Sequence, residues 1–164
     1  MRKQLTLFLE PEQSVVIEGL RKTYNPKQYD LIKSHITLCR EDEIIDITQI
    51  KENLAHLKFK PFKLALRGFK RFNEGKGVLI EVDDAKNHFK NLRIAVLHKV
   101  VDHPRDHKPH ITLMHPRNST CTALIYETIE KSNLPQEIRI SKISLIEQEM
   151  GKKWFTLDET ALTA

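Results

Sequence analysis

The tetrapeptide His-Ile-Thr-Leu occurs at residues 35–38 and again at residues 110–113 of this 164-residue chain. Successive side chains of a β-strand point to opposite faces, so the His and the Thr of each copy share one face. The Ile and the Leu of each copy face the other way, toward a layer of helices. Because Ile and Thr favour strands, both tetrapeptides predict strands that present an imidazole and a hydroxyl side by side.

The sequence around the two tetrapeptides repeats as well, with an offset of 75 residues. An apolar strand and a helix precede each copy: QLTLFL and residues 12–24 before the first, VLIEV and residues 84–99 before the second. A helix and a hairpin follow each copy: residues 46–57 and 62–82 after the first, then a helix capped by Asn118 or Ser119 and a hairpin of residues 138–146 and 153–157 after the second. The duplication predicts an α+β, pseudo-two-fold, bilobal fold over residues 1–164. Two mainly antiparallel sheets would line a central cleft, with the helices outside.

The composition fits a soluble globular domain: apolar residues make up 40% and charged residues 30% of the chain. No apolar run is long enough for a membrane span, and the N-terminus does not resemble a secretory signal. Two cysteines, Cys39 and Cys121, indicate reduced thiols and a cytoplasmic location. The excess of 27 basic over 22 acidic residues, a net charge of +5, weakly favours anionic partners.

The paired tetrapeptides indicate acid–base chemistry on a phosphorus centre. One neutral and one protonated histidine can act as general base and general acid, and neither role needs a metal. Each Thr hydroxyl can donate to a non-bridging phosphoryl oxygen as charge develops there. A single such tetrapeptide is ordinary strand sequence, but identical copies at matching places of a repeat predict one shared site. We therefore expect His35, Thr37, His110 and Thr112 to be catalytic.

Two H-x-T motifs, each on a strand of a duplicated α/β unit, resemble those of the two-histidine (2H) phosphoesterase superfamily. The likeness is nearest to the bacterial and archaeal 2′-5′ RNA ligase-like proteins, or RNA 2′,3′-cyclic phosphodiesterases, and it extends over nearly the whole chain. It implies a bilobal fold and metal-independent opening of a 2′,3′-cyclic phosphate to a 2′-phosphate, with reversal as 2′-5′ RNA ligation. In that scheme one His activates water, the other protonates the leaving ribose oxygen, and Thr37 and Thr112 contact the phosphate. The motifs do not assign the two roles to individual histidines.

The chain departs from the family pattern at two places near the motifs. Ser34 stands where members often carry Pro, and Arg40 fills the position five residues after His35 where members often carry Arg. The matching position after the second motif is His115, with Arg117 two residues later. Arg40, His115 and Arg117 are therefore phosphate-binding candidates. Arg67, which lies near the bend of the predicted hairpin, and Lys108 are added because both are expected to line the cleft beside the two histidines.

Other features have ordinary explanations. The histidines at 103, 107, 110 and 115 straddle a proline and a strand, so we expect a loop at the cleft rim and neither a metal site nor a cofactor. Residues 53–73 carry six basic residues and no acidic one, which suits an RNA-contacting surface or a solvated hairpin face equally well. Trp154 is assigned to the core, and Cys39 is expected to be a small buried residue.

Three functional hypotheses follow. The first is a phosphoesterase acting on RNA ends or nucleotides that bear a cyclic phosphate. The second is an RNA- or nucleotide-binding module without catalysis, and the third is a cyclic phosphodiesterase of small nucleotides. The expected partners are RNA ends or nucleotides, with no membrane involved, and the protein is expected to be a monomer.

Overall fold

The computed structural model describes residues 1–163, which form eight strands and five α-helices. The strands are β1 (Arg2–Phe8), β2 (His35–Cys39), β3 (Phe62–Phe72), β4 (Gly77–Asp83), β5 (His110–Met114), β6 (Glu137–Ile140), β7 (Lys142–Gln148) and β8 (Phe155–Ala161). The α-helices are α1 (Val15–Tyr24), α2 (Pro26–Leu31), α3 (Ile47–Ala55), α4 (His88–Val96) and α5 (Ala123–Glu130), and a 3₁₀ turn spans Pro11–Gln13. None of the helices in this part of the chain has the length and apolar character needed to cross a membrane.

All eight strands belong to one antiparallel sheet of order β6-β3-β4-β5-β2-β1-β7-β8. The order has two four-stranded halves, and strands β2 and β5, which carry the two H-x-T motifs, meet at its centre. A single register pair, Ile36 with Ile111, joins them. The predicted α+β pseudo-two-fold class is confirmed, and the two sheets expected from the repeat are joined here into one curled sheet.

The apolar face of the two central strands sets their orientation. Ile36, Leu38, Ile111 and Leu113 are completely buried, whereas the His and Thr side chains between them are half-buried. Burial of each such apolar side chain contributes about 1.5–3 kcal/mol. A slip of one residue would turn this set toward the cleft, so the register that presents the His and Thr is strongly specified.

Two helices pack against the motif strand of the opposite copy of the repeat. Helix α1, from the first copy, packs against β5 of the second copy, and α4, from the second copy, packs against β2 of the first. Ile17 of α1 and Phe89 of α4 are buried in the resulting core. The two motif strands are thus held together by helices that cross from one copy to the other.

Two details of the fold correct the sequence prediction. The strand expected over residues 138–146 is divided at Ser141, because β6 pairs with β3 at one edge of the sheet while β7 pairs with β1 in the other half. The Glu10 carboxylate accepts a hydrogen bond from the Ser141 hydroxyl where the chain crosses over. Hence the hairpin is formed by β7 and β8, and helix α2, which begins at Pro26, was not predicted at all.

Candidate active site

A cleft of about 760 Å³ lies over the two central strands. His35 and Thr37 of β2 line it together with His110 and Thr112 of β5. Strand alternation places these four side chains on the face opposite the buried Ile and Leu residues. The structure therefore brings together the four residues that the repeat singled out.

Both imidazoles are held in the same way. Nδ1 of His35 lies 2.7 Å from the backbone oxygen of Lys33, and Nδ1 of His110 lies 3.1 Å from that of Lys108. Because a carbonyl oxygen can only accept, each Nδ1 carries a hydrogen and donates it. Each Nε2 is then the nitrogen left to exchange a proton with a ligand, and the backbone two residues upstream fixes this tautomer in both copies.

The environment of His35 keeps its ring neutral at pH 7. Burial lowers its pKa from the ordinary imidazole value to about 4, and the positive charge of Arg21 and the second histidine act in the same direction. The hydrogen bond to the Lys33 carbonyl acts the other way but is the weaker influence. A neutral Nε2 can accept a proton, which is what a general base requires.

The Thr37 hydroxyl is oriented by Gln4, a residue that the sequence analysis missed. The Gln4 amide donates to Thr37 Oγ1 at 3.1 Å and to Thr6 Oγ1 at 2.7 Å. Because Thr37 Oγ1 accepts from Gln4, its own hydrogen is free to be donated into the cleft. The available signal was the polar pair Gln4 and Thr6 alternating with buried leucines in β1.

Three of the proposed phosphate-binding residues line the same cleft: Arg40, His115 and Arg117. The backbone N–H of Arg117 donates to Nδ1 of His115 at 3.1 Å, so the two residues form one unit. Burial and the nearby Arg117 and Arg2 lower the pKa of His115. Arg2 and Lys3 of β1, which the sequence analysis did not single out, add two further cationic side chains to the cleft.

The side chains of Arg67 and Lys108 lie elsewhere, along a second cavity of about 810 Å³. Arg67 is engaged by Asp83, with Nε donating to Oδ2 at 2.9 Å. In the β3–β4 register Asp83 lies opposite Ala65, and Arg67 lies two residues further along β3, at the irregularity between Leu66 and Gly68. The long Arg67 side chain therefore reaches Asp83 along a diagonal between the two strands. Lys108 contributes to the first cleft through its backbone carbonyl oxygen, which accepts a hydrogen bond from Nδ1 of His110, and not through its ammonium group.

The histidine-rich segment before β5 is divided between the two cavities. His103 and His107 line the second cavity, whereas His110 and His115 line the first. The ring of His107 reaches across, because its Nε2 donates to the Thr37 carbonyl at 3.2 Å. Over residues 1–163, no three His, Cys, Asp or Glu side chains converge as a metal-ligand set.

The environments of Cys39 and Trp154 differ from each other. Cys39 is fully buried, and burial raises the pKa of its thiol to about 12, so it holds no thiolate nucleophile. Trp154 was expected in the core, but it is half-buried and lines the cleft. Its backbone N–H donates to the Leu31 carbonyl, which draws the residue before β8 over to the cleft wall.

Sequence comparison places this geometry in a known family. A family model described as the 2′-5′ RNA ligase superfamily matches residues 9–152, a segment that contains both H-x-T motifs. The chain belongs to this superfamily. The assignment made from the two tetrapeptides is therefore confirmed, and the superfamily is one of 2H phosphoesterases and ligase-like enzymes.

Solved structures share the architecture at low sequence identity. Escherichia coli LigT in its apo form is 16% identical with a TM-score of 0.72, and the likeness covers 99% of this chain and 98% of LigT. A phosphoesterase (16% identical, TM-score 0.68) and a Thermus thermophilus protein (20% identical, TM-score 0.61) match over the same shares of each chain. These likenesses establish the fold. No curated protein is significantly similar in sequence.

Proposed function

We propose that this protein opens the 2′,3′-cyclic phosphate of RNA ends or nucleotides, with His35 as general base and His110 as general acid. The observation that carries the proposal is the matched anchoring of the two imidazoles. On neighbouring strands of one cleft, each is fixed through Nδ1 to the carbonyl two residues upstream. Each Nε2 is thereby left for proton transfer, and the superfamily membership gives the reaction class.

The reaction follows from these positions. Nε2 of neutral His35 takes a proton from water, whose oxygen forms a new bond to phosphorus. The bond from phosphorus to the ribose 3′ oxygen breaks, and Nε2–H of His110 protonates that oxygen, which leaves a 2′-phosphate. The bound phosphodiester anion raises the proton affinity of His35, because an opposite charge nearby favours the imidazolium form. No step uses a metal ion.

The threonines and the cationic residues support the phosphate in this scheme. The Thr37 hydroxyl, held by Gln4, and the Thr112 hydroxyl donate to the non-bridging oxygens as their charge grows. Arg40 and Arg117 supply positive charge at the cleft wall, while the carboxylate of Asp42 is already engaged by Arg105 at 2.7 Å. Escherichia coli LigT, which has the same fold, has been crystallised with phosphate and with 3′-AMP.

The same proton transfers extend to RNA joining. If the 5′-hydroxyl of a second RNA takes the place of water, His35 removes its proton and the product is a 2′-5′ phosphodiester. His110 again protonates the departing 3′ oxygen, so both products arise from one arrangement of groups. The choice between them depends on whether water or a 5′-hydroxyl occupies the position next to His35.

The test is hydrolysis of an oligonucleotide that ends in a 2′,3′-cyclic phosphate, carried out in EDTA. We expect the wild-type protein to give the 2′-phosphate. We expect His35→Ala and His110→Ala each to lower kcat by about 10²- to 10⁴-fold, the usual contribution of general acid–base catalysis. His56→Ala is the matched control, since His56 is an exposed histidine at the end of α3.

Two outcomes would overturn the proposal. Full activity in either motif variant would remove that histidine from the reaction. Tight binding of the oligonucleotide without any product, unchanged by His35→Ala, would support a non-catalytic RNA-binding module instead.

A further inference from the structure

One end of the cleft contains a stacked pair of side chains that the proposed reaction does not use. The guanidinium carbon of Arg2 lies 4.9 Å from the centroid of the Trp154 ring, and both residues line the cleft. We call this pair the Arg–Trp stack. It combines a planar cation with the largest aromatic side chain, and both offer flat faces.

The stack is held from three directions. Nε of Arg2 donates to Oε1 of Gln148 at 2.8 Å, across the β1–β7 register in which these two residues are partners. Gln148 is only 1% exposed, and its amide donates in turn to the Lys152 carbonyl at 2.6 Å. The backbone N–H of Trp154 donates to the Leu31 carbonyl at 3.0 Å. A buried amide and two backbone contacts therefore fix the position of the pair.

The stack lies at a defined distance from the catalytic residues. Arg2 and Gln4 of β1 line the cleft, and the buried Thr6, two residues beyond Gln4, is the register partner of Thr37. Four residues of strand separate Arg2 from Thr6, which corresponds to about 13 Å. Such a distance exceeds the reach of a phosphate or of the ribose that carries it, but the nucleotide joined to that ribose can span it.

We propose that the Arg–Trp stack is a subsite for the base of the nucleotide that precedes the cyclic phosphate. Unpaired RNA bases stack on aromatic rings and on arginine planes, and such stacking tolerates any base because every base has a π-face. The inference rests on the proposed function for the identity of the cyclic end. It makes a single-stranded RNA end of at least two nucleotides the preferred substrate, in place of a cyclic mononucleotide.

The binding test uses the only tryptophan of the chain as its own reporter. In the His35→Ala/His110→Ala double variant, which prevents turnover, Trp154 fluorescence is titrated with a dinucleotide ending in a 2′,3′-cyclic phosphate. We expect saturable quenching by the dinucleotide and none by the matching compound that lacks the first base. Equal quenching by both compounds, or no quenching at concentrations where the dinucleotide binds, would overturn the proposal. This arm needs no catalysis, so it remains decisive even if the proposed reaction is wrong.

The kinetic test separates an effect that depends on substrate length from a general loss of folding or activity. Trp154→Ala is expected to raise KM for the cyclic dinucleotide by about 5- to 150-fold, the usual contribution of one stacked base, with KM for the cyclic mononucleotide unchanged. Trp154→Phe should restore most of the loss, and unchanged mononucleotide turnover shows that the variant is folded. The control is Tyr126→Leu, which removes a second Arg–aromatic pair within residues 1–163, Arg71 with Tyr126. A loss that is the same for both substrates would contradict a base subsite.

Discussion

At the scale of single residues, the acid–base pair depends on backbone carbonyls more than on neighbouring side chains. The carbonyls of Lys33 and Lys108 fix the two imidazole tautomers, so substitution of either lysine side chain leaves the anchoring hydrogen bond in place. The side-chain support is unequal between the copies, because Gln4 orients Thr37 from the neighbouring strand. The hydrogen bond from Gln4 therefore orients the Thr37 hydroxyl so that its hydrogen can be donated into the cleft.

The role of Gln4 can be tested by Gln4→Leu. The substitution keeps the approximate size but removes the amide hydrogen that orients the Thr37 hydroxyl. A hydrogen bond of this kind contributes about 0.5–1.5 kcal/mol, so we expect kcat on a cyclic-phosphate oligonucleotide to fall about two- to tenfold with KM nearly unchanged. Gln49→Leu, which removes an amide bonded to Asn53 on α3, is the control. An unchanged kcat in Gln4→Leu would show that Thr37 does not need this support.

At the scale of elements, a buried ion pair connects the two motifs. Arg93 of α4 is 3% exposed and donates to Glu43 Oε1 at 2.6 Å, and also to the carbonyls of Leu38 and Arg105. Leu38 belongs to β2, whereas Arg105 lies in the segment that leads into β5. The Arg93 guanidinium therefore links β2, which carries the first motif, to the segment that precedes β5, which carries the second.

Removal of this guanidinium group should lower the stability of the folded protein. We expect Arg93→Met to lower the free energy of unfolding by about 3–5 kcal/mol, because the buried Glu43 loses its shortest ion pair and keeps only the half-exposed Arg105, at 3.3 Å. The carbonyls of Leu38 and Arg105 lose their donor as well. Urea denaturation measures the change, and Arg93→Met/Glu43→Met should recover much of it. Lys63→Met, which breaks the exposed pair of Lys63 with Glu137, should cost about 1 kcal/mol or less. A loss for Arg93→Met as small as that of the control would contradict the account.

The same pair should make the protein sensitive to acid. Burial alone would raise the pKa of Glu43, but the hydrogen bonds from Arg93 and the Arg40 backbone and the charges of Arg93 and Arg105 outweigh it and lower the pKa. The folded state then binds the proton less readily than the unfolded state does. The contribution of the pair is present above the ordinary glutamate pKa and is lost as the pH falls through the lowered value.

The sequence predicts much of this element arrangement, and the exceptions have physical causes. Alternation and helical periodicity are local signals, and they identified β2, β5 and the helices packed against them. The division at Ser141 depends on which distant strand each side pairs with, and no local pattern records that choice. Trp154 was placed in the core because a lone tryptophan beside a strand usually packs there, but its contact with Leu31 is set by tertiary structure.

Prediction of the site residues from the sequence has the same limits. Two identical tetrapeptides in a repeat were enough to select the four residues that meet in the cleft. Arg67 was chosen because it lies near a hairpin bend, yet Asp83 on the paired strand engages it at another cavity. Gln4 and Arg2 were missed because their importance arises from strand neighbours that are distant in sequence.

At the scale of the whole molecule, the duplication makes one site out of two incomplete halves. Each motif strand supplies one histidine and one threonine, and the helix that covers it comes from the other copy. The halves of the sheet meet at a single register pair, so the crossing helices and the Arg93–Glu43 pair carry much of the connection. The relative position of His35 and His110 is therefore a property of the complete fold.

The most direct test of the paired-histidine account is the pH dependence of kcat/KM for a cyclic-phosphate oligonucleotide. This parameter reports ionisations of the free enzyme, and the base must be unprotonated. We predict a bell-shaped profile whose acid limb falls as the pH drops through about 4, the lowered pKa of His35, with intrinsic fluorescence confirming the folded state at each pH. A profile without an acid limb, or with one near the ordinary imidazole value of about 6.5, would contradict His35 as the base.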